Sequence, residues 1–158
     1  TDELPLADIG RTSPENPLLT CAPSTIHLTG AGIELVSQVA REHRLRRAVE
    51  EYLASTEEPP HIILIDCPPS LGLLTINAFT AADEVLIPIQ CEYYALEGLG
   101  QLLSNIDLVR FHFNRNLHVS TIMLNMYDGR TKLADQGTSE VREHFGTLAL
   151  RTVIPRRV

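Results

Sequence analysis

Short apolar runs separated by segments of helical periodicity constrain the fold of this chain most strongly. His61–Ile65 and Glu84–Ile89 lack polar alternation, which is typical of strands covered on both faces in a parallel sheet. Two further strands are predicted at Val119–Leu124 and Leu150–Ile154. Strands that alternate with helices imply right-handed crossovers. We therefore predict an α/β fold with a doubly wound, mostly parallel sheet flanked by helices.

Apolar residues that recur every three or four positions mark the helices between these strands. One or two amphipathic helices are expected between Thr29 and Pro59, where a pair of prolines ends the pattern. Further helices are predicted at Leu71–Ala82, Ala95–Phe111 and Thr138–Phe145.

The domain organisation is predicted to be simple. Residues 1–28 are rich in proline, serine and threonine, so we expect an irregular segment with one short strand around Leu18–Cys21. Residues 29–158 are expected to form a single partial domain, since 44% hydrophobic residues suffice for one core. The chain begins with Thr1 and stops directly after a strand-like segment, which we interpret as the sign of a fragment.

Cysteine and histidine usage disfavours several classes of site. Cys21, Cys67 and Cys91 are widely spaced and form no CxxC pair, so neither a disulfide framework nor a thiolate zinc site is expected. The six histidines have no ligand spacing, and Cys67 and Cys91 are expected to be inert rather than nucleophilic. No apolar run approaches the roughly 20 residues of a membrane span. A reducing cytoplasm is expected.

The charge distribution is uneven along the chain. Residues 1–100 carry 15 acidic and 5 basic side chains, whereas residues 101–158 carry 5 acidic and 8 basic ones. The basic residues of the later part include two clusters, Arg130 with Lys132 and Arg151 with Arg156 and Arg157. Contact with DNA is therefore expected from the later part, although such clusters also occur as ordinary solvated surface.

Asp66 carries the strongest single chemical signal. It ends a predicted buried strand and is followed by Cys67 and two prolines, which stiffen the turn. A carboxylate in this position suits a magnesium ion that bridges nucleotide phosphates, but it would equally suit turn or helix-cap hydrogen bonds. The segments at Asp66, Gln90, Asn125 and Pro155 are expected to share the carboxyl edge of the sheet, where ligands bind.

Several consecutive motifs, in order and at matching spacing, resemble the ParA/Soj family of chromosome and plasmid partitioning ATPases, which belongs to the MinD/ParA superfamily. The resemblance covers roughly residues 28–158, including the helix that precedes Asp66. The motifs are Ile65–Thr75, Ala82–Leu99, Met126–Leu133, Val141–Gly146 and Val153–Arg156.

The resemblance implies a deviant Walker A P-loop ATPase with ATP and Mg²⁺ as its cofactors. Such a protein would form a homodimer around two bound ATP molecules and bind DNA non-specifically in that state. A centromere-binding ParB-like partner would stimulate hydrolysis during chromosome or plasmid segregation. The implied location is cytoplasmic and nucleoid-associated, without membrane contact.

The resemblance also suggests roles for individual residues. Asp66 would be the Walker-B-like acid near magnesium, acting through water. Asn125 and the backbone around Pro155 and Arg156 would border the adenine.

Two further surfaces follow from the same resemblance. Gln90–Gly98 would lie near the nucleotide-bridged dimer interface, with Tyr93 and Tyr94 packed against the domain or a partner subunit. Arg130 and Lys132 would face DNA.

One part of the family's machinery is not found in these 158 residues. A P-loop needs glycines and a lysine that reach phosphate, yet the single lysine, Lys132, follows no glycine-rich loop. We therefore expect no significant ATPase activity from this chain alone. A non-catalytic remnant or regulatory interaction module remains the alternative. A MinD-like membrane ATPase is disfavoured because no amphipathic C-terminal helix is apparent.

Overall fold

The computed structural model describes residues 4–68, 70–91 and 95–156. These residues divide into two compact units, one that ends at Ala81 and one that begins at Ala82. Within the described residues, no helix combines the length and the apolar character that a membrane crossing needs.

The first unit begins with a short hairpin-like arrangement. Helix α1 (Leu6–Ile9) precedes strand β1 (Arg11–Thr12), which pairs antiparallel with strand β2 (Thr20–Cys21). The strand predicted around Leu18–Cys21 is therefore confirmed in shortened form. Its partner strand and the helix before it were not predicted, because two to four residues are too few for a periodic pattern.

Helices make up most of the remaining first unit. Two single turns of 3₁₀-helix follow α2, at Leu35–Ser37 and Arg41–His43. The predicted helices before Pro59 and after Ser70 are confirmed. The α-helices are α2 (Leu28–Glu34), α3 (Arg44–Ser55) and α4 (Leu73–Ala81).

A buried amide joins α3 to α4. The Asn77 Nδ2 donates to the carbonyl oxygens of Arg41 at 2.8 Å and Leu73 at 2.9 Å. Its Oδ1 accepts from the Leu45 backbone N–H at 3.2 Å, in the first turn of α3. Because the first turn of a helix leaves backbone N–H groups without intrahelical partners, this side chain satisfies the one on Leu45 and fixes α4 against the start of α3.

The segment His61–Pro68 does not form the strand that the sequence predicts. It has no strand pairing with any described residue, and Ile62 and Leu64 are 77% and 88% exposed. A strand exists only when a neighbouring backbone accepts and donates its hydrogen bonds. The described residues provide no such neighbour, so the prediction of a strand here is wrong for this chain.

The second unit contains the predicted parallel sheet. Its strands lie in the order β3–β4–β5, and both pairs are parallel. The strands are β3 (Glu84–Gln90), β4 (His118–Tyr127) and β5 (Ala149–Pro155), and the helices are α5 (Ala95–His112) and α6 (Lys132–Phe145). This order of parallel strands with intervening helices confirms the α/β class.

Burial in this sheet is one-sided along β3. Val85, Ile87 and Ile89 are buried, whereas Leu86 between them is 51% exposed. The expectation that this strand is covered on both faces is therefore wrong. The core is centred on β4, where Ile122 and Leu124 are fully buried. Burying each such side chain stabilises the fold by about 1.5–3 kcal/mol.

Helix α6 is longer than predicted. It starts at Lys132 rather than Thr138, because the Thr131 side chain accepts a hydrogen bond from the Ala134 backbone N–H at 3.3 Å. Gly137 weakens the helical pattern in the sequence and hides this first part. The helix ends at Gly146, whose positive φ of 56° suits glycine.

Candidate functional site

The parallel register places the ends of the three strands at one edge of the second unit. Gln90 is paired with Asn125, and Tyr127 with Pro155. Because the strands are parallel, Gln90, Asn125 and Pro155 lie at their shared carboxyl edge, as the sequence predicts. Asp66 belongs to the first unit, and its place at this edge stays a prediction.

Backbone hydrogen bonds extend this edge beyond the regular strands. The Cys91 N–H donates to the Asn125 carbonyl oxygen at 3.1 Å, just after β3 ends. The Arg156 N–H donates to the Tyr127 carbonyl oxygen at 3.0 Å, just after β5 ends. The residues that follow two strands are thus held on the end of the third, which makes this edge a defined surface rather than a set of loose loops.

The chain bends sharply at the end of β4. The Asn125 Oδ1 accepts from the Met126 N–H at 2.7 Å, and Met126 has a φ of 53°. A positive φ in a residue other than glycine is uncommon and indicates a conformation imposed by its surroundings. The side-chain oxygen of Asn125 is therefore engaged in this bend. The sequence assigned Asn125 to a loop that borders adenine.

Residues Asp128–Thr131, here called the DGRT loop, connect β4 to α6. The Thr131 N–H and Oγ1 both donate to the Asp128 carbonyl oxygen at 3.0 Å. The Asp128 carboxylate accepts from the Arg130 N–H at 3.1 Å. These bonds close a compact turn in which Arg130 and Thr131 hold both the carbonyl and the carboxylate of Asp128.

Arg130 forms a two-pronged ion pair with Asp128. Its Nε donates to Oδ1 and its Nη2 to Oδ2, each at 2.8 Å. The Arg130 guanidinium, together with the Arg130 backbone N–H, lowers the pKa of Asp128 to about 2. Conversely, the carboxylate raises the pKa of Arg130. The carboxylate is therefore charged at any physiological pH.

Tyr127 anchors the other side of the DGRT loop. Its hydroxyl donates to the Asp135 carboxylate in the first turn of α6, and this hydrogen bond raises the pKa of Tyr127. A Cβ at Gly129 would lie 3.3 Å from the Tyr127 ring, so the glycine permits a close approach of loop and ring. The loop is consequently fixed at both ends.

The residues predicted to face DNA are accessible. Arg130 keeps 74% of its side-chain surface exposed despite the ion pair, and Lys132 and Arg156 are exposed as well. Arg151 is also exposed, and its carbonyl oxygen accepts from the Arg142 guanidinium at 2.6 Å. Arg157 lies outside the described residues. Exposure agrees with a DNA-facing role and equally with solvated surface.

Asp128, Tyr127 and Asp135 were not singled out from the sequence. A carboxylate two residues before an arginine, across a glycine, is the pattern of a tight turn with an ion pair, and it was available in Asp128-Gly129-Arg130. The Tyr127–Asp135 contact spans a loop and a helix start, so no local pattern shows it.

Asp66 is exposed and lies in the unpaired segment His61–Pro68. Burial, and then the Asp66 charge, raises the pKa of the neighbouring Cys67. The Thr75 Oγ1 donates to the Ser70 carbonyl oxygen at 2.6 Å and ties the following turn to α4.

The donor set around Asp66 can be compared with the needs of magnesium. No group of three or more histidine, cysteine, aspartate or glutamate side chains converges among the described residues. Magnesium is commonly held by one or two carboxylates, water and substrate phosphates. A single exposed carboxylate fits that mode and does not fit an all-protein cage. Pro69 and Glu92–Tyr94, including the two predicted packing tyrosines, lie outside the described residues.

Comparison with known proteins identifies the relatives of this chain. The profile of a family described as AAA domain matches residues 2–119. The sporulation initiation inhibitor protein Soj of Bacillus subtilis is 50% identical over 158 residues, covering 99% of this chain and 60% of that protein. The chromosome partitioning protein ParA of Myxococcus xanthus is 51% identical over 140 residues, covering 89% and 48%.

A solved structure is similar to this chain in three dimensions. Cobyrinic acid a,c-diamide synthase from Mycobacterium smegmatis, solved with ADP and magnesium, is 32% identical, with a TM-score of 0.86. The match covers 98% of this chain and 60% of that protein. The chain thus spans at most about 60% of the length of the relatives named here. The family profile spans most of the chain, so the chain belongs to the AAA domain family, and its sequence is similar to the Soj and ParA proteins over nearly all of its length.

Proposed function

We propose that the protein containing this chain is a partitioning ATPase that segregates a chromosome or a plasmid through ATP-dependent dimerisation and non-specific DNA binding. Half of the aligned residues are shared with relatives named for chromosome partitioning or as Soj. The resemblance read from the sequence motifs leads to the same function.

The nucleotide is proposed to bind at the carboxyl edge of the sheet as ATP with Mg²⁺. The Asn125 amide and the backbone of Pro155 and Arg156 would border the adenine, and Asp66 would hold the magnesium through water. The related synthase from Mycobacterium smegmatis was solved with ADP and magnesium, which supports this choice of ligand. The metal would supply charge neutralisation to the phosphates.

DNA and protein partners are proposed for other parts of the molecule. Arg130 and Lys132 would contact DNA phosphates, and their exposure is compatible with that role. The Gln90–Gly98 segment would lie near the interface of a homodimer. A centromere-binding ParB-like protein would stimulate hydrolysis, and the protein would act in the cytoplasm on the nucleoid.

One structural observation carries most of this proposal. Asn125 and Pro155 come from different strands, yet the register Gln90–Asn125 and Tyr127–Pro155 places them at one edge. In open α/β sheets this edge is where ligands bind. This shared edge supports the proposal that Asn125, Pro155 and Arg156 border the adenine.

The decisive experiment measures MgATP hydrolysis by the full-length protein and by this chain alone. The full-length protein should hydrolyse ATP, whereas the chain should not, because these 158 residues contain no P-loop. Asp66→Ala in the full-length protein should lower turnover by about 100-fold, since a charge-stabilising contact is worth about 3 kcal/mol.

Asp83→Ala is the matched control. Asp83 is also an exposed acid, but it precedes β3 and so lies at the amino edge of the sheet. Its replacement should leave turnover within about two-fold. Full activity of Asp66→Ala would refute the magnesium assignment, and a full-length protein without turnover would favour a regulatory interaction module.

A further inference from the structure

The ion pair within the DGRT loop bears directly on the proposed DNA surface. Arg130 is the more exposed of the two partners, at 74% against 23% for Asp128. Two of its five guanidinium N–H groups, on Nε and Nη2, donate to the carboxylate. This Nε–Nη2 edge is one of the two edges through which a guanidinium can bind a phosphate in two-pronged fashion.

Asp128 is held in place independently of the Arg130 side chain. Its carbonyl oxygen accepts both the N–H and the Oγ1 of Thr131. Thr131 in turn caps α6 through Ala134. If the Arg130 side chain swung away, the Arg130 backbone N–H would still donate to Oδ1, as it does at 3.1 Å, and would keep the carboxylate in this turn as a negative charge at the surface.

We propose that Asp128 restrains DNA binding by competing with phosphate for the Arg130 guanidinium. This inference rests on the proposed DNA-binding function and identifies a residue that sets its strength. DNA binding requires either that Arg130 leave the carboxylate or that phosphate approach a carboxylate within a few ångströms. Both routes lower affinity, and both operate through Arg130.

The size of the restraint follows from the nature of the pair. Exposed ion pairs contribute little net stability, so phosphate can displace the carboxylate. A guanidinium released for phosphate contact adds one counterion to those released on binding. The restraint is therefore a modest factor in affinity that depends on salt concentration, rather than a block.

The test is Asp128→Asn in the full-length protein with ATP and a duplex of arbitrary sequence. Asparagine keeps an oxygen that accepts from the Arg130 N–H, so the turn is preserved. Affinity should increase about three- to ten-fold near 0.1 M salt, and the slope of log K against log salt should steepen by about 1. Asp128→Ser, which also offers an oxygen, should give a gain in the same direction.

Two controls separate competition from a general charge effect. Asp135→Asn removes the same charge nearby but retains an acceptor for the Tyr127 hydroxyl, and it should change affinity by less than about two-fold. In an Arg130→Gln background, Asp128→Asn should give no gain, because the proposed restraint acts only through that guanidinium.

The outcomes are distinct. The inference would be overturned if Asp128→Asn left the affinity for DNA unchanged or lowered it. It would also be overturned if Asp128→Asn gave an equal gain in the Arg130→Gln background. A lower affinity would show that Asp128 orients Arg130 toward DNA. A wild-type full-length protein that binds no DNA would instead overturn the DNA-binding part of the proposed function and the inference with it.

Discussion

The segment His61–Pro68 and strand β3 have similar apolar sequences but different structures. Both contain a short run rich in isoleucine and leucine that predicts a strand. Strand β3 pairs along its whole length with β4, while His61–Pro68 pairs with no described residue and exposes Ile62 and Leu64. The difference lies in the neighbours that each run finds within the chain.

This comparison shows that an apolar run does not form a strand by itself. An apolar run can indicate that a strand would be stable with partners, but the hydrogen bonds must come from another part of the backbone. The relatives are longer than this chain, which covers about 60% of Soj. We expect the His61–Pro68 segment to become a paired strand in a protein of that length.

The largest expected difference concerns two leucines, one in each region. Leu124→Ala in β4 should lower the free energy of unfolding of this chain by about 3 kcal/mol, because Leu124 is fully buried and a cavity would remain. Leu64→Ala, at an exposed position, should change it by less than about 0.5 kcal/mol. Urea unfolding followed by circular dichroism measures both.

The same pair of variants shows whether the comparison holds in the full-length protein. If Leu64 becomes a core residue there, Leu64→Ala should cost as much as Leu124→Ala. Equal and large losses in this chain alone would contradict the exposure of His61–Pro68.

A smaller difference is expected between two cysteines. Cys91 is buried directly after β3, whereas Cys67 is half-buried in the unpaired segment. Alkylation of Cys91 should be on the order of 100-fold slower than in denatured chain, since it requires local opening. Cys67 should react faster than Cys91, and its rate should keep rising with pH because its pKa is raised. Mass spectrometry of timed samples distinguishes the two sites.

Comparable rates at Cys67 and Cys91 would show that both regions are equally open or equally covered. The exposed Cys21 is the internal reference for unhindered reaction.

The smallest effect concerns pH and the turn that follows β4. The pKa of Asp128 is about 2, below the ordinary value of 3.8. A depressed pKa contributes stability that is present above pH 4 and is lost as pH falls toward 2. Titration of the Asp128 carboxyl carbon by NMR should give a midpoint near pH 2, and Asp128→Asn should remove this part of the acid dependence of stability.

A midpoint near the ordinary value, or a shift of undiminished size in Arg130→Gln, would show that the ion pair is not formed in solution. The turn after β4 would then be less well ordered than the structure shows.

Much of the second unit could be predicted because its partners are close along the chain. Each strand there is followed by a helix and then by the strand next to it, so local patterns and the right-handed crossover rule suffice. The start of α6 was missed because a threonine cap, rather than periodicity, determines it. His61–Pro68 was assigned wrongly because its pattern implies neighbours that the described residues do not supply.

Some features of the candidate site could be predicted from the sequence and others could not. Asn125 and Pro155 were placed correctly at one edge because parallel strands share their carboxyl ends. The pairing of Arg130 with Asp128 depends on the shape of a turn, which residue spacing suggests but does not determine. The assignment of Asp66 to magnesium remains a prediction.

The positive φ of Met126 has a consequence for which sequences this fold can accept. A side chain branched at Cβ is strained in that conformation, by roughly 1–2 kcal/mol, whereas glycine, asparagine and aspartate tolerate it. In a library randomised at position 126, selection for folding should deplete valine, isoleucine and threonine. It should enrich glycine, asparagine and aspartate. The bend would thus be visible as a residue preference at a site that carries no chemistry of its own.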